Sequence, residues 1–116
     1  MYKDQILDLY KNPMNEGSME DPELEARGDN PSCGDSTEVH VETEDGVIKD
    51  VKHETEGCAI STASISIASE EVQGMKVEEV FELDKDWMLE ELGIDVSPMR
   101  LKCALLGLKT IQKALD

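Results

Sequence analysis

Three cysteines and one aspartate are the side chains of this sequence best suited to bind a metal or to accept sulfur. Cys33 and Asp35 stand one glycine apart in the stretch DNPSCGDSTEV, and Cys58 and Cys103 lie further along the chain. A thiolate is both a soft metal ligand and a nucleophile towards sulfur, whereas a carboxylate supplies a hard oxygen ligand. Taken alone, DNPSCGDSTEV also fits a tight turn with an incidental thiol, and the other two cysteines fit buried or free thiols.

The number and spacing of the cysteines argue against two common uses. The count is odd, and the first residues, MYKDQILDLYKNP, lack the uninterrupted apolar region of a signal peptide, so a disulfide framework is not expected. No pair of cysteines has the C-x-x-C spacing of a zinc ribbon or a thioredoxin-like site. We therefore expect a cytoplasmic protein.

Length and charge restrict the class of protein and the partners that it can bind. A chain of 116 residues suits one compact domain, which we expect to cover residues 1–116. Its formal net charge of −16 would repel nucleic-acid phosphates and anionic membranes, so neither is an expected partner. No apolar run approaches the roughly 18 residues that a membrane span requires. The acidic surface would suit a basic partner, although a solvated face without a specific partner also explains it.

The first quarter of the sequence is expected to hold one short helix and one short strand. Ile6, Leu9 and Tyr10 recur at helical spacing in residues 2–12, and Pro13 ends that helix because the residue before a proline avoids helical angles. Residues 13–30 are polar and contain prolines and glycines, which predicts an irregular segment. Within it, residues 24–27 are the candidate for a short strand.

A β-hairpin is predicted over residues 37–54. Val39 and Val41 alternate with polar residues at a period of two, which places them on one buried face of a strand. The dipeptide DG at residues 45–46 is a strong signal for a two-residue hairpin turn. On the return strand, Val47 and Val51 are expected to share the buried face. The opposite, solvent-facing side of the first strand would carry Glu38, His40 and Glu42.

Three helices are expected between the hairpin and the C-terminal segment. The stretch GCAISTASISIASEEVQG is rich in small residues and predicts a helix with a narrow, close-packing face, which Gly74 ends. MKVEEVFEL predicts a shorter helix, with Val77, Val80 and Phe81 facing the core. DKDWMLEELG predicts another helix, closed by Gly93.

The C-terminal segment predicts an amphipathic helix. Ser97 suits its N-cap and Pro98 its first helical position. The residues that follow show a clear apolar row, and Cys103 lies off that row. The row consists of Leu101, Leu105, Leu108, Ile111 or Gln112, and Leu115. Together the elements predict an α+β fold, a small antiparallel sheet of about three strands with helices packed on one face.

The predicted elements give each cysteine a position that favours chemistry over packing. Cys33 would lie in the loop that enters the sheet, and Cys103 off the core row of the last helix. Cys58 would lie at a helix N-terminus, where unpaired N–H groups and the helix dipole stabilise a thiolate, and Gly57 would let the backbone approach closely. Three thiolates and the Asp35 carboxylate make four ligands, a number that suits a tetrahedral zinc ion or a two-iron, two-sulfide cluster.

Three motifs, in this order, resemble the IscU/SufU/NifU-N-terminal family of iron–sulfur cluster assembly scaffolds. NPSCGD is similar to the first cysteine motif of that family, HETEGCAISTAS to the second and RLKCALLGLKTIQKAL to the third. The resemblance covers nearly the whole chain and implies an IscU-like fold. It further implies that Cys103 accepts persulfide sulfur and that Asp35 keeps a bound cluster labile. The ligand set that it implies is Cys33, Asp35, Cys58 and Cys103.

The function that the resemblance implies is that of a scaffold rather than an enzyme. A cysteine desulfurase would deliver persulfide sulfur, iron would join it, and a transient [2Fe-2S] cluster would be handed to apo-proteins. Two alternatives stay open. One is a SufU-like sulfur acceptor, which holds zinc on the same ligands and stimulates a cysteine desulfurase. The other is a small acidic interaction module whose metal is purely structural.

The sequence departs from the family pattern near its third cysteine. Lys102 replaces the histidine of the IscU branch and is SufU-like, yet the insertion that SufU proteins carry between the second and third cysteines is missing. DVSPMRLKC replaces the Leu-Pro-Pro-Val-Lys segment that an Hsp70-type chaperone binds in the IscU branch, which argues against such a partner. His53 is expected to be an ordinary strand residue rather than a substitute ligand, and His40 to be inert. Oligomerisation, with a neighbouring protomer completing the site, also stays open.

Overall fold

An antiparallel sheet with helices on one face makes up the part of the chain that the computed structural model describes, residues 4–32 and 34–116. The strands are β1 (Leu24–Asn30), β2 (Asp35–Glu44) and β3 (Val47–Glu56), in the order β1-β2-β3. The helices are α1 (Asp4–Lys11), α2 (Ala59–Glu71), α3 (Val77–Phe81), α4 (Lys85–Leu92) and α5 (Leu101–Leu115), with a 3₁₀ turn (Pro98–Arg100) directly before α5. The predicted α+β class and three-stranded sheet are confirmed.

The strands of the predicted hairpin extend two residues further at each outer end than the pattern indicated. Asp45 and Gly46 have φ values of +55° and +78°, as the tight turn of a hairpin requires. The candidate strand near residue 24 is confirmed as β1, which pairs with β2 so that Asn30 lies opposite Asp35. The register therefore sets the last residue of β1 beside the first residue of β2.

A bulge in β3 changes which residues of the hairpin are buried. The pairing register of β2 and β3 shifts by one residue at Lys49, which has no partner in β2. Ile48 and Val51 are therefore both buried although they lie three positions apart, and Val47 is only half-buried. The prediction that Val47 shares the buried face with Val51 is wrong, because strict alternation does not continue through a bulge.

Helix α2 lies at the centre of the molecule and is buried throughout residues 60–69. It contacts α1, α4, α5 and β3. The prediction of one narrow buried face is wrong because the helix has neighbours on all sides. Its many serine and alanine side chains are small enough to allow such dense packing.

The buried face of α5 also differs from the predicted row. Cys103 is 1% exposed, whereas Leu101 and Leu105 are only half-buried. The helix packs on β1 and β2 on one side and on α2 on the other, so a wide arc of its surface is covered. Several of the buried residues are small, and a pattern of large apolar residues does not reveal them. The buried set is Cys103, Ala104, Leu106, Gly107, Leu108, Thr110, Ile111 and Ala114.

Two glycines allow α5 to approach its neighbours closely. A Cβ atom on Gly107 would lie 2.7 Å from the Cβ of Ile65 in α2, well inside van der Waals contact. Gly28 in β1 is equally close to Thr110 of α5, because a Cβ atom added to Gly28 would overlap the threonine hydroxyl. The two glycines therefore set the distance of α5 from α2 and from the sheet, and with it the depth of Cys103.

Two side chains lie in the environment opposite to the predicted one. His40, expected on the solvent-facing side of β2, is buried, and the Met19 N–H donates to its Nδ1 at 2.9 Å. Phe81, expected in the core, is 45% exposed at the end of α3, where Val80 is the buried residue. Periodicity reveals neither the segment that covers His40 nor the shortness of α3, so both predictions are wrong.

The other predicted helices are confirmed with small shifts of their ends. Helix α4 begins after Asp84, whose carboxylate accepts the Trp87 N–H at 2.9 Å, and ends at Gly93 with a φ of +68°. Pro98 opens the 3₁₀ turn, although the Ser97 side chain makes no capping hydrogen bond. None of the helices in residues 4–32 and 34–116 has both the length and the apolarity that crossing a membrane requires.

The outer edge of β3 is hydrogen-bonded to two other segments. Residues 15–17 bond to both the N–H and the carbonyl oxygen of His53. Residues 74–77 bond in the same way to Ile48, and to the carbonyl oxygen of the hairpin turn at Gly46. The edge strand is therefore paired with backbone near both of its ends.

Candidate metal centre

Asp35, Cys58 and Cys103 converge although they lie on three different elements. One carboxylate oxygen and the two sulfur atoms all lie within 4.8 Å of one another. Asp35 opens β2, Cys58 is the N-cap of α2, and Cys103 lies in the first turn of α5. The fold thus brings together three of the four side chains predicted as ligands. Cys33, the fourth, lies outside the described residues, and its role stays a prediction.

The Asp35 carboxylate is buried and holds two hydrogen bonds from α2 and its N-cap. The side chain is 3% exposed. The Ser61 hydroxyl donates to Oδ2 at 2.5 Å, and the Cys58 N–H donates to Oδ1 at 3.2 Å. A buried carboxylate without such donors would be strongly unfavourable. The two donors therefore hold the carboxylate in place beside the thiols.

Gly57 makes room for this carboxylate. A Cβ atom on Gly57 would lie 2.7 Å from Asp35 Oδ1 and 3.0 Å from the carboxyl carbon. Any other residue would have to displace the carboxylate, the turn before α2, or both. The close approach expected at this glycine is confirmed, and the group that approaches is Asp35. On the other side of Asp35, Gly34 has a φ of +72°, a conformation that favours glycine.

The Cys58 thiol is half-buried, and its pKa is lowered. Burial by itself raises the pKa, and so does the nearby Asp35 charge. Hydrogen bonds from the Ser61 N–H, the Ser61 hydroxyl and the Ile60 N–H outweigh both, because they stabilise the thiolate. Ser61 Oγ lies 3.5 Å from Cys58 Sγ. The hydrogen bonds at the start of this helix therefore act in the direction that its position predicts.

A small cleft on the surface is lined by the two cysteines of the group. It has a volume of about 270 Å³ and is lined by Cys58, Met99, Arg100 and Cys103. Met99 is 86% exposed, whereas Cys103 is 1% exposed. The 3₁₀ turn before α5 therefore borders the approach from solvent, and Cys103 lies at the inner end of that approach.

Ser61 belongs to the site, and sequence reasoning missed it. Its hydroxyl contacts both the Asp35 carboxylate and the Cys58 sulfur. Ser61 follows Cys58 by three residues, the spacing at which side chains in the first helical turn interact with the N-cap residue. That spacing is visible in the sequence. The contact with Asp35 is not, since it depends on how β2 packs against α2.

Two thiols and one carboxylate at this spacing fit zinc or iron. Ligand atoms 2.0–2.3 Å from a tetrahedral ion lie roughly 3.3–3.8 Å apart, so small side-chain adjustments within the observed 4.8 Å suffice. Sulfur donors are suited to these metals and not to calcium or magnesium. His53 is not part of this group. Its Nε2–H donates to the Met14 carbonyl oxygen at 2.8 Å, and the Thr55 hydroxyl donates to its Nδ1 at 2.9 Å.

Comparison with known proteins places this arrangement in a family. The family model for the NifU-like N terminal domain matches residues 1–116. The iron-sulfur cluster assembly scaffold protein IscU of Thermotoga maritima is 35% identical, over 99% of this chain and 92% of that protein. The zinc-dependent sulfurtransferase SufU of Bacillus subtilis is 32% identical, over 99% of this chain and 89% of that protein.

A solved structure shows the same fold. A proposed iron-sulfur cluster assembly scaffold of the SUF system from Fervidobacterium islandicum matches with a TM-score of 0.84 and 30% identity, over 99% of this chain and 96% of that chain. The match of the family model and the match of the fold both extend over nearly all of the chain. The chain therefore belongs to the NifU-like N-terminal domain family, with the IscU and SufU proteins of iron–sulfur cluster assembly as its relatives.

Proposed function

We propose that this protein is a scaffold, and not an enzyme, on which a transient [2Fe-2S] cluster is built and from which it passes to apo-proteins. The observation that carries the proposal is the convergence of the Asp35 carboxylate with the Cys58 and Cys103 thiols at a solvent-accessible cleft. Cys33 would supply the fourth ligand. The Thermotoga maritima relative is named as an iron-sulfur cluster assembly scaffold protein.

The hydrogen bonds of Asp35 support release as well as assembly. Both oxygens of its carboxylate already accept a hydrogen bond from the protein. A metal bound to Asp35 shares the carboxylate with these donors, so the metal–oxygen contact is weaker than a bond to a free carboxylate. When the metal leaves, the side chain keeps its partners, and no buried charge is left unpaired. Such a ligand suits a cluster that is built and then given up.

Cys103 is proposed as the sulfur acceptor. Its thiolate would attack the terminal sulfur of a persulfide on a cysteine desulfurase. The S–S bond of that persulfide would break, the desulfurase cysteine would leave as a thiolate, and Cys103 would carry the new persulfide. Reduction of this sulfur to sulfide takes an electron pair per sulfur atom from a thiol or a protein reductant. Because Cys103 is 1% exposed, access requires movement of the 3₁₀ turn at residues 98–100.

A zinc-bound sulfur acceptor is the second candidate function. The donor set of two thiols and a carboxylate fits tetrahedral zinc, and the Bacillus subtilis relative is named as a zinc-dependent sulfurtransferase. The same four residues would hold the zinc ion, which as a Lewis acid would keep the thiols deprotonated. In this function the protein would take sulfur from a cysteine desulfurase and stimulate it without building a cluster.

Anaerobic reconstitution separates the two functions. The reduced metal-free protein is mixed with ferrous iron, cysteine, a cysteine desulfurase and dithiothreitol as the reductant, and the visible spectrum is recorded. Charge-transfer absorption of a [2Fe-2S] cluster supports the scaffold. A colourless protein that retains zinc and still accelerates the desulfurase overturns it in favour of the sulfur acceptor. Cys58→Ser should lose the absorption, whereas Ser64→Ala, a change elsewhere in α2, should keep it.

Asp35→Ala tests the proposed lability. We expect the reconstituted cluster to persist longer in this variant, because the exchangeable oxygen contact is lost. The measurement is the decay of the visible absorption after addition of an iron chelator. Asp29→Ala, which removes an exposed carboxylate of β1, is the control and should decay like the unmodified protein. Faster decay in Asp35→Ala would show that the carboxylate stabilises the cluster and would contradict the argument.

A further inference from the structure

The C-terminal part of the chain has the opposite charge to the rest. Residues 97–115 contain Arg100, Lys102, Lys109 and Lys113 and no aspartate or glutamate, in a chain whose formal net charge is −16. Three of these residues lie on α5, and all three are exposed. The helix that carries Cys103 therefore presents a basic strip on an otherwise acidic molecule.

Part of this strip forms one wall of a groove. The groove lies between α5 and residues 29–32 at the end of β1, and its volume is about 310 Å³. Lys102 and Lys109 line it on the side of α5, with Leu106 between them. Asp29 lines the opposite side, and the Arg27 Nε lies 3.6 Å from its carboxylate. The charge that the groove presents is therefore positive.

A buried hydrogen-bond donor without a partner also lines the groove. Asn30 is 6% exposed, and its Oδ1 accepts a hydrogen bond from the Ser32 hydroxyl at 2.9 Å. Its Nδ2 has no hydrogen-bond partner within the part of the chain that the structure describes. An unsatisfied buried donor is unfavourable, and native proteins rarely keep one without a reason. Asn30 is one of the residues that line the groove, so this donor lies close to its wall.

We propose that this groove binds an acidic segment of a partner polypeptide in an extended conformation. The ammonium groups of Lys102 and Lys109 select for oxygen acceptors that carry negative charge. Lys102 and Lys109 are seven residues apart on one helix, a rise of about 10 Å. This separation exceeds the span of a single carboxylate or phosphate group. It matches about three residues of an extended chain, and the further step of about 6 Å from Lys109 to Lys113 matches about two.

The groove lies on the helix that carries Cys103. Binding there would add the selection of a partner to the proposed scaffold function. Lys102 directly precedes Cys103, so a segment held along α5 lies next to the candidate metal centre. The acidic remainder of the surface repels an acidic partner in every other orientation, whereas the basic strip attracts it. The strip therefore selects partners by charge and holds them along the helix that carries Cys103.

Fluorescence anisotropy with labelled octaglutamate tests the proposal on the full-length, metal-free protein. Octaglutamine, which has the same length and no charge, is the control peptide. We expect octaglutamate to bind, octaglutamine not to bind, and the affinity for octaglutamate to fall steeply as salt is added. Lys102→Glu/Lys109→Glu should weaken binding by at least about tenfold, and Lys102→Gln/Lys109→Gln by an intermediate factor.

A matched double variant separates the local effect from the overall charge. Lys49→Glu/Lys85→Glu changes the net charge by the same amount on other parts of the surface, and it should weaken binding less than about twofold. Circular dichroism confirms that each variant is folded. Equal loss in both double variants, or no binding of octaglutamate at all, overturns the proposal. Displacement of the peptide by millimolar inorganic phosphate at constant ionic strength also overturns it, since the groove would then be a site for small anions.

Discussion

Two serines of α2 allow a matched test of the hydrogen bonding around Asp35. Ser61 and Ser64 are both buried in the same helix, and a change to alanine removes the same oxygen atom from each. Their partners differ. The Ser61 hydroxyl donates to Asp35 Oδ2 at 2.5 Å, whereas Ser64 Oγ has no hydrogen-bond partner among the residues that the structure describes. Of the two substitutions, only Ser61→Ala should therefore lower the stability.

Ser61→Ala should destabilise the metal-free protein. A hydrogen bond to a charged group contributes roughly 1.5–3 kcal/mol, and its loss leaves one oxygen of Asp35 buried without a donor. Alanine is the better helix former by about 0.5 kcal/mol, which offsets part of this loss. We expect the free energy of unfolding to fall by about 1–2.5 kcal/mol.

Ser64→Ala should raise the free energy of unfolding or leave it unchanged. A buried hydroxyl without a partner costs roughly 1–3 kcal/mol, and the substitution removes that cost. The helix preference of alanine acts in the same direction, while the small void left by one oxygen atom acts against it. The net expectation is an increase of about 0–2 kcal/mol.

Urea unfolding of the reduced, metal-free protein measures both effects. Trp87 is the only tryptophan in the sequence and packs against the core, so its fluorescence reports unfolding. The two variants should differ by at least about 1 kcal/mol, which corresponds to a few degrees in Tm for a chain of this size. If Ser64→Ala proved as destabilising as Ser61→Ala, the loss would come from helix packing, and the bond to Asp35 would not be its source.

Three further predictions concern packing, pH and thiol reactivity. Gly107→Ala should lower the free energy of unfolding by about 1–3 kcal/mol in urea, because its Cβ would lie 2.7 Å from that of Ile65; an unchanged value would show that α5 can shift. Burial lowers the pKa of His53 below its usual 6.5, so stability should be complete above pH 6.5 and decrease as the pH falls below it, since the unfolded chain then binds the extra proton. His53→Gln should remove this decrease in the range just below pH 6.5, and an identical profile in both proteins would contradict the assignment. With iodoacetamide, Cys58 should react at least about tenfold faster than Cys103, because the pKa of Cys58 is lowered and its side chain is less buried. Mass spectrometry of the alkylated peptides measures the two rates. Equal rates would show that the cleft opens freely.

Local sequence signals were sufficient for most of the secondary structure. The DG turn, the apolar alternation around Val39 and the glycine that ends α4 each depend on a few neighbouring residues, and each is observed. No local sequence signal marks the bulge at Lys49, because a bulge is a property of the pairing between β2 and β3. Burial predicted from strict alternation therefore failed beyond that residue, at Val47, and also at His40, which Met19 contacts from outside the hairpin.

Burial of the helices depended on tertiary neighbours that the pattern does not contain. A hydropathy pattern identifies the large apolar residues of α5, yet the closest contacts are made by Gly107 and other small residues. Cys103 is therefore buried where the apolar row predicts exposure, although its distance from that row and the resemblance both single it out as a candidate ligand. Its side chain is packed in the core, and its grouping with Asp35 and Cys58 is observed.

The supporting residues of the site were the least visible in the sequence. Ser61 is one of several serines in a small-residue helix, and nothing in its neighbours marks it as the donor to Asp35. Asn30 is similar, since its burial follows from the register that sets it opposite Asp35. Contacts of this kind connect residues far apart in the chain, and only the packing of β1, β2 and α2 defines them.

The pairing of the outer edge of β3 affects the tendency of the metal-free protein to aggregate. An open edge strand offers unpaired N–H and carbonyl groups on which a second chain can add a strand, the usual start of aggregation. Residues 15–17 and 74–77 occupy these groups near both ends of β3 through backbone bonds that involve none of the candidate ligands. The protection is therefore independent of metal. In its proposed function the protein loses its cluster in every round. The edge of β3 would stay paired in that metal-free state, so a second chain could not add a strand there.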